Sequence, residues 1–273
     1  MNFKYIAGAL GFSAALTGCS LDVKMYDGVM AEDISSENIA DLSFGSYRHL
    51  KGSGPIFYGY SFREYGSDDV SWGGTSTGAT FKLYDYRRNI ASAQTEYAWE
   101  LGYRAIGNTN LVIEMVEALG DNATREHILI KGENHYMRAL NYFLLVIEFA
   151  QPYSNNPESN PGLPIKLDSN PDPSTLPKSR STVAEVYDQI VKDLQESISL
   201  LTLEAGETPK NNNFVTKEAA EALLARVYLY MGKTEEAAQM ADNVIKSDRF
   251  ELEQGERYAK YAQWLPENNK ETI

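Results

Sequence analysis

Cys19 is the only cysteine among 273 residues, and it follows an apolar run from Ile6 to Leu16 in the order Leu16-Thr17-Gly18-Cys19. Lys4 places a positive charge before the run. The run is too short to cross a hydrocarbon core of about 30 Å, and small residues precede the cysteine, where a signal peptidase must fit. This pattern predicts a lipoprotein signal over residues 1–18 and a mature chain of residues 19–273. The Cys19 thiol is the nucleophile that takes the lipid. Each buried CH₂ contributes about 0.8 kcal/mol, so two or more acyl chains, palmitate among them, hold a protein to a membrane where one does not. The chain is expected to be anchored to the membrane without spanning it.

A second group of residues suits stacking chemistry. From Phe57 to Tyr103 about a quarter of positions are aromatic, against 11 % of the whole chain. Trp72, between Ser71 and Gly73-Gly74, is the strongest candidate for ligand contact. Tyr84 and Tyr86 alternate in a short run that reads as weakly strand-like. Asp68, Asp69, Arg63, Arg87 and Asn89 lie close by in sequence. Aromatic faces on polar, glycine-rich segments suit a sugar ring, whose C–H face stacks while its hydroxyls bond the polar groups. By analogy with aromatic pairs each stack contributes about 0.5–1.5 kcal/mol. Association itself costs at least about 4 kcal/mol, which predicts binding in the roughly millimolar to micromolar range. Trp99 and Tyr103, four apart on an expected helix, are read as core.

Other chemistries find little support. His127 and His135 are eight apart on one expected helix, without the H-E-x-x-H zinc pattern, and His49 has no identifiable partner. Asp68 and Asp69 lack the spacing of a calcium loop. There is no glycine-rich phosphate loop and no G-x-S-x-G elbow. The sequence therefore reads as a non-enzyme that uses no metal or cofactor. A formal net charge of −13 disfavours nucleic-acid backbones and anionic headgroups as partners.

The elements that must position these residues are helical. The capping box Thr182-Val183-Ala184-Glu185 opens the clearest helix. Val183, Val186, Tyr187, Ile190, Val191, Leu194, Ile198 and Leu201 form its apolar stripe, leaving Asp188, Lys192, Asp193 and Glu196 on the other face. A helix after Thr216 carries Ala220, Leu223, Leu224, Val227 and Tyr228 up to Gly232. Thr234 is expected to cap the next helix, which presents Ala237, Ala238, Ala241, Val244 and Ile245. These two follow the tetratricopeptide pattern, with Arg249 near the place of the usual proline. An earlier pair, Tyr97 to Glu117 and Arg125 to Phe149, is joined at Gly120-Asp121-Asn122. Such hairpins bury their faces only by stacking, so the expectation is an all-α, tetratricopeptide-like superhelix. Its long irregular insertions are Lys51 to Ser92 and the proline-rich Pro152 to Arg180, the latter read as a packed excursion.

In this order and spacing the segments resemble the SusD/RagB outer-membrane nutrient-binding lipoproteins. The resemblance rests on Cys19-Ser20-Leu21-Asp22, Tyr103-Arg104-Ala105-Ile106 with Asn110, and Gly132-Glu133 through Met137-Arg138-Ala139-Leu140-Asn141-Tyr142-Phe143. It continues through Pro164-Ile165, Arg180 to Tyr187 with Asp193-Leu194, and Thr216 to Leu229. It implies a scaffold that packs on a SusC-like TonB-dependent transporter and captures glycan, or in some members peptide, on the exterior of the outer membrane. It also implies that the helix around Arg138 is scaffold. The chain ends inside a segment resembling the family's E-x-I-F motif, at about half the family's length, and is expected to be incomplete. Two other classes stay open: a helical-repeat scaffold binding proteins or peptides, and a glycan-cleaving enzyme.

Overall fold

The computed structural model describes residues 35–50, 64–75, 77, 79–87, 93–170, 172, 174, 177, 179–208, 210, 213–260 and 270–271. By contact density the chain divides into residues 1–35 and 36–273, and every described helix belongs to the second unit. The lipoprotein signal and Cys19 lie outside the described residues, as do Arg63 and Asn89.

Among the described residues eight α-helices succeed one another in chain order: α1 (Ile39–Leu50), α2 (Ala79–Tyr84), α3 (Ala93–Ala118), α4 (Arg125–Phe149), α5 (Val183–Leu201), α6 (Lys217–Tyr230), α7 (Thr234–Lys246) and α8 (Gly255–Lys260). Among the described residues there is no strand, only an isolated bridge between Pro161 and Thr182. From α3 to α7 each helix packs on the next, and α1 lies against α3 and α4. This is the expected superhelix of hairpins. The first hairpin begins four residues earlier than its apolar spacing indicates, at Ala93.

Local chemistry explains where the helices begin. Thr182 and Glu185 form the expected capping box of α5, and Thr124 and His127 form another on α4. His127 is thus engaged in capping, its Nδ1 accepting from the Thr124 N–H at 3.2 Å. The cap expected of Thr234 is a correction. Ala237 N–H donates to the Lys233 carbonyl, so α7 starts one residue sooner, with no side-chain cap. Gly232 stands at φ 75° in the turn before it, a left-handed position that suits the absence of a Cβ.

The main core joins α3 to α7 through Ile106, Tyr142, Val186, Ile190, Leu194, Leu224 and Val227. Each such side chain contributes about 1.5–3 kcal/mol on burial. Ile39, Val112, Val116 and Ile130 form a smaller cluster between α1, α3 and α4. On α5 the apolar stripe is buried or half-buried throughout, but Asp193 departs from the expected polar face and is 1 % exposed. It accepts hydrogen bonds from Arg138, and a charge can stay in the interior only when paired in this way. On α7, Ala237 and Val244 are buried, whereas Ala238, Ala241 and Ile245 are exposed because no described element covers them.

The excursion after α4 is packed on its own chain through its described residues 152–170. Leu163 is fully buried. Gly162 N–H donates to the Ser181 carbonyl, Ser181 N–H donates to that of Leu163, and Val183 N–H reaches the Asn160 carbonyl at 3.0 Å. Tyr142 donates to the Lys166 carbonyl and accepts from its N–H, both at 2.8 Å. Asn110 amide hydrogens bond the carbonyls of Lys166 and Asp168 at 3.1 and 2.9 Å. Tyr103 donates to the Pro164 carbonyl at 2.8 Å. Tyr103, Asn110, Arg138, Tyr142 and Asp193 are therefore scaffold, holding the excursion against the helices.

Candidate functional site

The aromatic segment forms a short helix where alternation hints at strand. In α2 the three-residue step from Phe81 to Tyr84 sets both rings beside Trp72, with centroids at 5.3 and 5.9 Å, and 6.2 Å from each other. Leu83 points the other way and is buried with Ala98, packed by Tyr65 and Phe149. That burial selects the helix: a strand would place Leu83 and Phe81 on one face. Phe149 also meets the Trp99 ring edge-on at 5.1 Å, and Trp99 lies 4.9 Å from Tyr103. The expected core role of Trp99 and Tyr103 holds in part: both are half-buried against the main core.

Trp72 is half-buried, and its indole N–H donates to the Thr75 carbonyl at 3.1 Å. Its ring is thus held by two aromatic neighbours and one hydrogen bond. The Arg87 guanidinium lies 5.5 Å from the Phe81 centroid and pairs with Asp85. A cation over a ring face is favourable by about 0.5–1 kcal/mol at an exposed site.

Tyr86 closes α2. Arg87 N–H donates to the Lys82 carbonyl at 2.9 Å and Tyr86 N–H to that of Leu83 at 3.3 Å, the two bonds of a Schellman turn. Its left-handed position, where glycine is usual, holds Tyr86 at φ 53°. A bulky residue there is strained by about 1–2 kcal/mol. The ring is 72 % exposed, and its hydroxyl donates to the Gly66 carbonyl. That bond ties α2 to the turn bearing Asp68 and Asp69, both exposed, where Asp69 N–H donates to Ser67 Oγ at 3.3 Å.

The structure therefore gathers the six candidates around α2. Trp72 and Tyr84 stack with Phe81, Arg87 covers Phe81, and Tyr86 links them to the turn carrying Asp68 and Asp69. Phe81 is the residue to which the sequence assigns no role; its three-residue spacing from Tyr84 is the signal that could have found it. Chemically the group offers exposed or half-exposed rings, one guanidinium and two exposed carboxylates. Among the described residues no group of three or more His, Cys, Asp or Glu is arranged to hold a metal ion. Nor is any helix among them long and apolar enough to cross a membrane.

Comparison with known proteins gives the family of the fold. A SusD-like family described as "Starch-binding associating with outer membrane" matches residues 21–229. SusD-like protein P2 of Formosa agariphila is 26 % identical over 259 residues, which is 91 % of this chain and 48 % of that protein. A SusD superfamily protein from Bacteroides thetaiotaomicron is 30 % identical, with a TM-score of 0.68 over 82 % of this chain and 49 % of that one. A laminarin-binding SusD-like protein shares the fold, at 22 % identity and a TM-score of 0.58, over 77 % of this chain and 43 % of that one. The chain thus spans about half the length of the relatives it matches.

Proposed function

The chain belongs to the SusD-like family, and from this we propose that it captures glycan at the outer membrane and passes it to a SusC-like TonB-dependent transporter. The observation that carries the reading is Tyr86, an exposed ring kept in a left-handed position beside the Trp72, Phe81 and Tyr84 cluster. Strain of this kind persists where surrounding structure over-determines it, and it gathers at ligand-binding sites. Trp72, Tyr84 and Tyr86 supply stacking faces, while Asp68, Asp69 and Arg87 bond hydroxyls. The family description, which pairs starch binding with the outer membrane, supports the ligand class and the location. Selective capture is the whole mechanism; no bond is broken.

The test is a titration of the purified chain with starch, other plant, host and microbial polysaccharides, and peptides, with Trp72→Ala in parallel. Saturable glycan binding that weakens about two- to tenfold, as loss of a stacking ring worth about 0.5–1.5 kcal/mol requires, supports the reading. A folded chain that binds no glycan rejects it. Anchoring through Cys19 is part of the same proposal. Palmitate label should enter the native chain and not Cys19→Ala; label persisting in the variant would reject lipidation at that residue. Co-purification with a barrel transporter tests delivery, and proteolysis of intact cells tests exposure on the exterior.

A protein-binding scaffold is the second reading, favoured by the exposed Leu229 and Ile245. Unchanged ligand binding in Trp72→Ala would move the weight to it.

A further inference from the structure

A separate cleft lies among α1, α4 and the linker between α5 and α6, and none of its lining residues belongs to the aromatic cluster. Its volume is about 220 Å³, and its walls include Phe44, Tyr47, Glu126, Glu133, Lys210 and Phe214. Three of these are rings. Phe44 and Tyr47 meet Phe214 edge-on, with centroids at 6.1 and 5.8 Å, and Phe44 is 54 % exposed. Lys210 places its ammonium 4.8 Å from the Phe214 centroid and donates to Glu133 Oε1. The other carboxylate oxygen, Oε2, accepts from the Tyr47 hydroxyl at 2.9 Å.

Glu133 is 1 % exposed, so its carboxylate has left water and relies on a cation and a hydrogen bond to offset the desolvation cost. Burial pushes its pKa up, and the Lys210 and Tyr47 contacts oppose that rise. A desolvated carboxylate and an aromatic face converging on one point are what an ammonium group needs. The chain's own Lys210 occupies that point, reaching in from the linker on a flexible stem about one third exposed. Open volume remains beside it, with the exposed Glu126 carboxylate in the wall. The cleft is smaller than the roughly 300–1,000 Å³ usual for drug-sized ligands, which limits an occupant to about one ring.

We propose that this cleft binds small polar ligands carrying a primary ammonium group, amino sugars in particular, and that Lys210 is the resident occupant such ligands displace from Glu133. The sugar part rests on the proposed glycan capture; the ammonium part stands on the cleft alone.

Glucosamine, glucose and N-acetylglucosamine are titrated into the full chain, slightly below neutral pH so that the free amine is charged, with line-broadening or calorimetry as the readout. Glucosamine should bind saturably and the two uncharged sugars should not. Lys210→Ala removes an intramolecular competitor and should tighten glucosamine binding about tenfold, with Lys210→Met as the variant that keeps the stem's packing. Phe214→Leu should weaken it about threefold through loss of the ring face. Trp72→Ala should leave it unchanged, so the glycan site can fail while this one stands. Absence of glucosamine binding, equal binding of glucose, unaltered affinity in both folded Lys210 variants, or loss in Trp72→Ala would each overturn the assignment.

Discussion

Arg138 on α4 holds Asp193 on α5 through two parallel hydrogen bonds, from Nε to Oδ2 at 2.9 Å and from Nη2 to Oδ1 at 2.6 Å. Both side chains are buried, and His135 Nδ1 stands 2.8 Å from the same Oδ1. A third contact runs from Arg138 Nη1 to Asn110 Oδ1 at 2.9 Å. Asn110 in turn holds the Lys166 and Asp168 carbonyls. One ion pair thus connects two helices, and through α3 it reaches the excursion after α4.

Removing one partner of this pair strands a buried charge. Arg138 left alone by Asp193→Asn should cost about 3–5 kcal/mol in urea denaturation at neutral pH. The double variant Arg138→Met with Asp193→Leu should recover most of that loss, because neither charge then needs solvation.

The same carboxyl sets a pH dependence. Burial pushes the Asp193 pKa up, but hydrogen bonds from His135 and Arg138 outweigh it and hold the group below the usual carboxylate range. A depressed folded pKa stabilises above the unfolded value of about 3.9, and that stability is lost as pH falls through the lower folded value. The native chain and Asp193→Asn should therefore differ fully at pH 7 and converge below about pH 4. A gap that stays constant to about pH 3 would contradict the pairing.

Two glycines should respond in opposite senses to alanine. A Cβ on Gly162 would lie 2.6 Å from the Thr182 carbonyl oxygen, which is backbone and cannot turn aside. Gly162→Ala should cost about 3 kcal/mol, detach the excursion and expose its backbone amides to hydrogen exchange. Gly107, inside α3, has nothing within 4 Å of its Cβ position. Gly107→Ala should stabilise by about 0.5–1 kcal/mol.

Tyr86 and Gly232 occupy equivalent left-handed positions, after α2 and α6 respectively. Gly232→Ala should destabilise by about 1 kcal/mol. Tyr86→Gly exchanges relief of strain for greater chain entropy and a lost hydroxyl bond, so stability should shift by less than about 1 kcal/mol. Glycan affinity should fall all the same. A large gain in stability with unchanged binding would make the residue a structural accident.

The Tyr47 hydroxyl donates to Glu133 and accepts from the Val215 N–H at 2.9 Å. Tyr47→Phe leaves both of those groups short of a partner where α1, α4 and the linker meet. A loss of about 1–3 kcal/mol is expected, visible as a lower denaturation midpoint.

Sequence alone determined what depends on neighbours along the chain. The helix over Arg125 to Phe149, the capping box of Thr182 and Glu185, the apolar stripe of α5 and the turn at Gly232 all rest on contacts within a few residues. Repeating period and spacing record such contacts directly. The aromatic richness around Trp72 was equally legible, as was the family to which the segments in order belong.

Tertiary structure decided the rest, because the partners come from distant parts of the chain. Asp193 lies two turns from Val186 at the margin of the α5 stripe, and only Arg138 and His135 on α4, 55 and 58 residues away, make its burial tolerable. The run through Tyr84 and Tyr86 carries a weak alternation that burial of Leu83 against Ala98 overrides, turning strand spacing into helix and bringing Phe81 to Trp72. Glu133 and Lys210 lie 77 residues apart, so no local pattern could bring the Lys210 ammonium to that buried carboxylate. Periodicity reports the face a residue shares with its neighbours; the fold decides what that face meets.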